Sequence, residues 1–408
     1  MNNTKYRRAK KSGPNTPKGN ARPSRPTALP SQKKKNQRTS SITDFRVLVK
    51  KAALQEEENH LSEVRFEDAP IHPKLKQNLL SKGFVNLSKI QANSLAPLKA
   101  GRDLIGIANT GTGKTAAFLI PIIERLIENP QGNGALVMVP TRELALQVEE
   151  EFRSLTQHMK FYSATFIGGT NVNTDVQRLK RHNHLIVGTP GRLKDLVDRR
   201  ALALHKIPVL VLDEFDRMLD MGFVNDIKRI VRDMKARKQT ILFSATQDKS
   251  QKAIISELVK DPAEVRVNTG YTTGDHIEQD IITVPEGMNK FNMLLDLVSQ
   301  PGFDRVLVFT ETKRWADVVA RKLNQAGVTA DQIHGNKSQN YRIKALDKFK
   351  RGKIRVMVAT DVAARGIDVD EISHVINYQL PLTYDTYVHR IGRTGRAGKQ
   401  GKAFTFVN

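Results

Sequence analysis

Ala108-Asn-Thr-Gly-Thr-Gly-Lys-Thr115 decides the fold of this 408-residue chain. It follows the apolar run Asp103-Leu-Ile-Gly-Ile107 and leads into Ala116-Ala-Phe-Leu-Ile120, so it reads as a loop between a buried strand and an apolar helix. The spacing is that of a phosphate-binding loop, with Ala108 where the general form has glycine. Backbone N–H groups along Thr110, Gly111, Thr112, Gly113 and Ala116, with the helix N-terminus, are expected to cradle a β-phosphate. Lys114 is expected to reach the β- and γ-phosphates, and Thr115 to place its hydroxyl on Mg²⁺. Further along, Val209-Leu-Val-Leu212 runs into Asp213-Glu214, two carboxylates at the carboxyl end of a central strand, where ligands sit in open α/β sheets. Asp213 is the expected Mg²⁺ partner. Glu214 is placed to orient and deprotonate an attacking water. The pair of features implies binding and hydrolysis of a nucleoside triphosphate.

Composition narrows the setting. The absence of cysteine excludes disulfides and thiolate metal sites and suits a reducing cytoplasm. No charged start followed by an apolar stretch marks a leader, and runs such as Ala116 to Ile123 are too short to cross a bilayer, so a soluble cytoplasmic protein without membrane contact is expected. The formal charge of +24 is concentrated: Met1 to Ala53 holds fifteen Lys and Arg against one acid, Asp44. This segment is also rich in Pro, Gly, Ser, Asn and Gln and poor in large apolar residues. Residues 1–60 are therefore expected to be a disordered basic tail with a short docking segment around Ile42 to Leu54, the tail making sequence-blind phosphate contacts.

From about residue 61 strands and helices alternate. Ala135–Val139, His184–Gly188, Pro208–Leu212 and Thr240–Phe243 are short apolar runs leading into polar turns, as parallel strands buried on both faces should be. Residues 61–267 make one α/β domain that binds the nucleotide. Asn268 to Glu278, rich in Gly and Thr, reads as a linker. Residues 279–408 repeat the pattern with Arg305–Phe309, Ile354–Val358, His374–Asn377 and Ala403–Phe406, and with helical spacing over Lys313–Gln325 and Tyr341–Phe349. Only the first domain has a phosphate loop, and the second is expected to complete the site across a cleft. His389-Arg-Ile-Gly-Arg-Thr-Gly-Arg396 supplies it with clustered guanidinium groups; Arg393 and Arg396 are expected to meet the γ-phosphate on closure.

With these stretches in order, the chain resembles the DEAD-box ATP-dependent RNA helicases of superfamily 2, over about Phe66 to Phe406. Gly83-Phe84 with Ile90-Gln91 looks like the family's adenine-reading motif. Asp213-Glu-Phe-Asp216 resembles its namesake box, and Ser244-Ala-Thr246 the segment coupling ATP and RNA sites. Pro140-Thr-Arg-Glu-Leu-Ala145, Gly168-Gly169 and Thr189-Pro-Gly-Arg192 resemble its first-domain RNA contacts. Phe309 to Thr312, Gln339-Asn-Tyr-Arg342, Ala359 to Asp368 and His389 to Arg396 continue the series. The resemblance implies two tandem RecA-like parallel-sheet domains and an RNA-dependent ATPase using ATP and Mg²⁺. It would separate short duplexes locally or remodel RNA–protein complexes by ATP-driven closure on the RNA backbone. Phe84 and Gln91 would read adenine, and Asp368 would touch the ATP ribose. Pro140, Thr141, Arg142, Gly168, Gly169, Thr189, Gly191 and Arg192, with Arg342 and Thr360 opposite, would hold the RNA backbone independently of sequence. Asp216, Ser244, Thr246 and His389 would couple the two sites.

Four departures from the family pattern carry expectations of their own. Phe215 stands for the box alanine and must be accommodated by repacking; Leu87-Ser88-Lys89 replaces a proline-rich turn and is expected to loosen the adenine loop. Asn336 and Gln379 replace acids and are expected to alter contacts between the domains slightly. His182 and His184 lack a carboxylate cluster and are read as turn or strand-entry residues rather than metal ligands. Trp315, the one tryptophan, is read as a packing residue of an amphipathic helix. Alternative readings are an RNA clamp that has lost hydrolysis through Phe215, a DNA translocase and, more remotely, a small-molecule kinase. Partners are expected to be single-stranded RNA and short duplexes, within ribosome or RNA-decay assemblies, with a monomer as the default state.

Overall fold

The structure is a computed structural model describing residues 61–407, apart from residues 110, 133, 246–248, 268–276, 365–368, 370, 371 and 396–400. The basic segment 1–60 and most of the expected linker lie outside the described residues. The chain begins with β1 (Leu61–Arg65), α1 (Pro73–Ser81), β2 (Asn86–Ser88) and α2 (Lys89–Lys99), with β1 antiparallel to β2. An alternating series follows: β3 (Leu104–Ile107), α3 (Lys114–Glu128), β4 (Ala135–Met138), α4 (Arg142–Leu155), β5 (Ser163–Phe166), α5 (Val172–Leu179), β6 (Leu185–Gly188) and α6 (Pro190–Asp198). It continues through β7 (Val209–Leu212), α7 (Phe215–Asp220), α8 (Val224–Asp233), β8 (Gln239–Ser244), α9 (Lys249–Leu258) and β9 (Ala263–Arg266). β3 to β9 form one parallel sheet in the order β5-β6-β4-β7-β8-β3-β9.

Why these four-residue runs are apolar at every position is visible in β4 and β7. Successive side chains point to opposite faces of a sheet. Ala135, Val137, Val209 and Val211 enter the core shared with α1 to α4, whereas Leu136, Met138, Leu210 and Leu212 enter the core on the other face, shared with α6 to α9. Helices cover both faces, so no position is left for a polar residue.

The second unit comprises β10 (Ile277–Thr283), α10 (Lys290–Val298), β11 (Val306–Phe309), α11 (Lys313–Gln325), β12 (Ala330–Ile333) and α12 (Gln339–Lys350). β13 (Val356–Ala359), α13 (Asp361–Ala364), β14 (His374–Asn377), α14 (Tyr384–Ile391) and β15 (Gly401–Val407) complete it. Its parallel sheet has the order β10-β15-β14-β11-β13-β12. Ile277 and Glu278, assigned to the linker from sequence, are instead the first residues of β10, paired with Gly401 and Lys402. The polar run Glu278-Gln-Asp280 hid this edge strand, which begins by alternating buried and exposed residues. Lys313–Gln325 is a helix with the expected bounds, and α12 starts at Gln339, two residues ahead of the expected Tyr341, capped by Ser338, whose hydroxyl accepts from the Tyr341 N–H.

His374 opens β14 with its ring stacked 3.7 Å from that of Phe303. Burial, then the neighbouring Lys402, push its pKa from 6.5 to about 4, against weaker upward pulls from Asp304 and Glu278. Between these values the unfolded chain binds the proton and the folded chain does not, so stability falls as pH falls from about 6.5 to about 4. Thermal unfolding followed over that window is expected to show the loss in the native chain. In His374→Phe, which keeps the stack and cannot titrate, the slope should flatten; an identical slope would remove His374 as its source.

Candidate functional site

The loops after β3, β7 and β8 leave the same edge of the first sheet from neighbouring strands, and each carries part of the site. Ala108 donates its N–H to the Ser244 carbonyl at 3.1 Å, joining the start of the phosphate loop to the end of β8. Gly111 and Gly113 have φ of +85° and +88°. A Cβ on Gly113 would lie 2.5 Å from Gln91 Nε2, so this position needs glycine for both conformation and space. Lys114, buried at the start of α3, donates Nζ to the Ala108 carbonyl at 2.8 Å, and Thr112 Oγ1 donates to the Asn109 carbonyl at 2.8 Å. Thr115 is half-buried and Ala116 is buried in the first turn of α3. Thr110 lies outside the described residues.

Asp213 extends β7, its N–H donating to the Met138 carbonyl at 3.1 Å and its Oδ1 accepting from the Glu214 N–H at 2.9 Å. Burial pushes its carboxyl up to about 6, while Lys114 pulls the other way. A carboxylate so short of solvation, with the Thr115 hydroxyl in the same loop cluster, offers oxygen donors of the kind a hard cation takes. Among the described residues no group of three His, Cys, Asp or Glu could hold a metal alone. Mg²⁺ takes one or two carboxylates and completes its shell with phosphate and water, so Asp213 with Thr115 would fit it.

Glu214 is the clearest strained residue of the site. Its φ is +51°, a left-handed conformation costing about 1–2 kcal/mol for a residue with a side chain. It is buried, and its Oε2 has no hydrogen-bond partner. Asp216 accepts from the Ala245 N–H through Oδ2 at 3.1 Å, which ties the box to the Ser244-Ala245 turn; Thr246 lies outside the described residues. Phe215 is fully buried in the same core as Leu212, Met218 and Leu242. The extra ring is absorbed by the core, so its volume is not spent against the acids.

On the adenine side one expectation, a loosened turn, needs correction. Gln91 is already engaged within the chain, Oε1 accepting from the Ser88 N–H at 2.8 Å and Nε2 donating to the Gly113 carbonyl at 3.1 Å. It links α2 to the phosphate loop and keeps one amide hydrogen and one lone pair, the two that a contact to adenine would use. The preceding turn is not loose: Ser88 and Gln91 form a reciprocal capping box at the start of α2, which fixes it without proline. Phe84 meets Phe66 edge-on at 5.6 Å and remains partly accessible.

Among the described residues, a cavity and an ion pair bring side chains of the second unit against the first. Arg217, from α7, lines a small cavity with Phe309, Asp361, Ala364, Thr386, His389, Arg390 and Arg393. Arg217 is buried and its Nη1 has no hydrogen-bond partner. Arg393 is buried beside His389, donating Nε to the His389 carbonyl at 3.4 Å. Arg390 is a support: its Nε and Nη2 donate to Asp361 at 2.6 and 2.9 Å, and its Nη1 to Asn377 and to the Gln379 carbonyl. Arg396 and Asp368 lie outside the described residues. At the other contact, the Arg342 guanidinium and the Glu143 carboxylate form a buried ion pair at 3.0 Å. Gln339 donates to the same Glu143 oxygen at 3.2 Å and accepts from Arg142 Nη1 at 3.3 Å.

The expected RNA contacts gather near this second junction. Thr141 caps α4, and Thr189 precedes α6 without a side-chain cap bond. A Cβ on Gly169 would lie 2.5 Å from Arg142 Nη1, so Gly168-Gly169 leaves room for that guanidinium. Pro140 and Thr360 are buried, and a Cβ on Gly191 would meet nothing within 4 Å. Arg192 and Arg342, expected on RNA, are turned to internal partners. Arg192 pairs with buried Asp175 and donates to the Thr170 carbonyl at 2.7 Å, holding the loop after Gly169; Arg342 serves Glu143. Asn336 accepts from Lys313 and Gln379 from the Glu311 N–H, so the two acid replacements act through contacts inside the second unit. His184 is satisfied at strand entry, Nδ1 accepting from the Tyr162 N–H and Nε2 donating to the Pro130 carbonyl, both at 3.0 Å. Among the described residues no helix is long and apolar enough to cross a membrane.

Comparison with known proteins gives this arrangement a family. Residues 88–254 match the DEAD/DEAH box helicase domain and residues 289–398 the helicase conserved C-terminal domain. The chain is 41% identical over 343 residues to the RNA helicase CrhR of Synechocystis, covering 84% of this chain and 69% of CrhR. It belongs to the DEAD-box RNA helicase family. The ATP-dependent RNA helicase RhlB of Pseudomonas syringae pv. tomato is 43% identical over 338 residues, covering 80% of this chain and 85% of RhlB. The chain spans 65% of the length of the DEAD-box ATP-dependent RNA helicase CshA of Bacillus cereus. Among solved structures, S. cerevisiae Dbp5 bound to RNA and ADP BeF3 matches with a TM-score of 0.75 at 32% identity, covering 84% of this chain and 89% of that one.

Within this DEAD-box protein, sequence reasoning passed over Glu143, Gln339, Arg217, Asp361 and Arg390. Glu143 sat inside a quoted motif and carried no role there. Its i-to-j separation from Arg342 leaves no local signal, because the pair exists only through the meeting of two domains.

Proposed function

We propose that this DEAD-box protein is an RNA-dependent ATPase that closes its two domains on an RNA backbone, separating short duplexes locally or displacing bound protein. The observation that carries the reading is the buried Glu143–Arg342 pair, which joins the two domains, as does the cavity that Arg217 of the first lines with Arg390 and Arg393 of the second. Lys114, now folded onto the Ala108 carbonyl, would transfer its charge to the phosphates. Asp213 and Thr115 would hold Mg²⁺, which when bound neutralises phosphate charge. Glu214, strained and with a free carboxylate oxygen, would orient the attacking water and accept its proton. Arg393 would balance charge on the leaving group from the opposite domain. Asp216, held by the Ala245 N–H, relays the state of the acids to the turn after β8. Thr141, Gly169, Gly191 and Thr360 offer hydroxyl groups and bare backbone, chemistry that suits phosphate and ribose and reads no base.

Phosphate release by the full chain, measured with and without single-stranded RNA and with DNA of the same sequence, tests this. Strong stimulation by RNA is expected. Turnover indifferent to RNA, or stimulated by DNA alone, would overturn it.

A further inference from the structure

We infer that Trp315 is a stacking platform for an unpaired RNA base, set beside the backbone contacts of the second domain. This rests on the reading of the chain as an RNA-binding helicase. Sequence periodicity places Trp315 in the packed face of α11, but it is 44% exposed, while Ala316, Val319, Ala320 and Leu323 of the same helix fill the core. Its N–H is held by the capping hydroxyl of Thr312 at 3.2 Å, so it stands in the first turn, where α11 leaves the carboxyl end of β11. β11 lies next to β13, and the Thr310 N–H donates to the Ala359 carbonyl at 2.9 Å, one residue before Thr360. The indole is therefore presented at the same edge of the sheet as the proposed ribose and phosphate contact at Thr360.

The platform is backed rather than loose. Tyr378 lies 6.3 Å from the indole, centroid to centroid, and is itself packed 6.0 Å from Phe406, with the Lys290 ammonium 5.5 Å from the Tyr378 ring. Lys313 and Arg314 are exposed on the same turn; Asp317, the acid nearest Trp315 in sequence, is paired with Lys337 and His334, and Arg314 has no ion pair among the described residues. An accessible indole with cations on its margins suits a single strand, whose bases stack while its phosphates meet the charges. A docking protein would favour a wide apolar patch, which these exposed charges interrupt. Because every base has a π face, such a contact adds affinity without adding sequence preference.

Trp315 is the sole tryptophan, so its emission reads the site directly. The full chain is titrated with single-stranded RNA in the presence of a non-hydrolysable ATP analogue, binding being followed independently by anisotropy of a labelled strand. Quenching is expected to track the binding curve, and a strand of equal length lacking bases is expected to bind without quenching. Trp315→Ala should weaken binding about 5-fold or more, and Trp315→Phe should restore most of it. RNA binding without quenching, equal quenching by the baseless strand, or unchanged affinity in Trp315→Ala overturns the platform while leaving the helicase reading intact. Failure to bind RNA at all overturns both.

Discussion

Glu214→Gln is expected to lower RNA-stimulated phosphate release by about 10²–10⁴, the usual contribution of a positioned general base. The substitution is nearly isosteric. It keeps the side-chain length in the left-handed backbone at φ +51° and leaves Asp213 and Lys114 in place. What disappears is the basicity of Oε2, the oxygen that has no partner inside the protein. A structural role for Glu214 would be largely preserved by glutamine, whereas proton transfer would not. Single-turnover hydrolysis with saturating RNA, alongside equilibrium binding of an ATP analogue, separates the two. Near-native hydrolysis in Glu214→Gln would remove the residue from the chemistry; binding that persists while hydrolysis is lost is the expected result.

Glu143→Ala should have the next largest effect, and on closure rather than chemistry. In the structure the Glu143 carboxylate is buried between Arg342 and Gln339. Removing it strands the Arg342 guanidinium away from water, and breaking a buried pair in this way costs about 3–5 kcal/mol. With the domains apart, both groups are free to hydrate. The cost therefore falls on the closed state, and even its lower bound reduces the closed population by about 10²-fold. Energy transfer between dyes on the two domains, with RNA and a non-hydrolysable analogue, would report it as a loss of the high-transfer state. The double variant Glu143→Ala with Arg342→Ala should be less impaired than the sum of the singles, because no charge is left stranded. Strict additivity would show that the pair contributes nothing to closure.

The sequence disclosed what is set locally. The phosphate loop, the acids after β7 and the interior strands of both sheets follow from residue type and spacing over a few positions; the edge strands do not. Partnerships were less accessible. Arg192 and Arg342 have the chemistry of phosphate ligands, and nothing in their neighbours announces Asp175 or Glu143 as prior claims. Nothing in the spacing around Gln91 announces its bond to the Gly113 carbonyl, 22 residues on. Ser88-Lys-Ile-Gln91 did carry a capping-box pattern, a signal that the comparison with a proline-rich turn obscured. Trp315 sits at the margin of the apolar stripe Ala316, Val319, Ala320 and Leu323, where helical spacing alone cannot separate a buried ring from a half-exposed one.

The position of β15 between β10 and β14 has a consequence for biosynthesis. The nucleotide-loop sheet has all its strands once Arg266 has left the ribosome, but the second sheet stays split, with β10 unpaired, until Gly401 to Val407 emerge. Domains fold as units, so the nascent polypeptide passes through an interval in which it holds a triphosphate pocket and lacks the half that supplies Arg393. Hydrolysis that needs both halves therefore has to wait until β15 has been made.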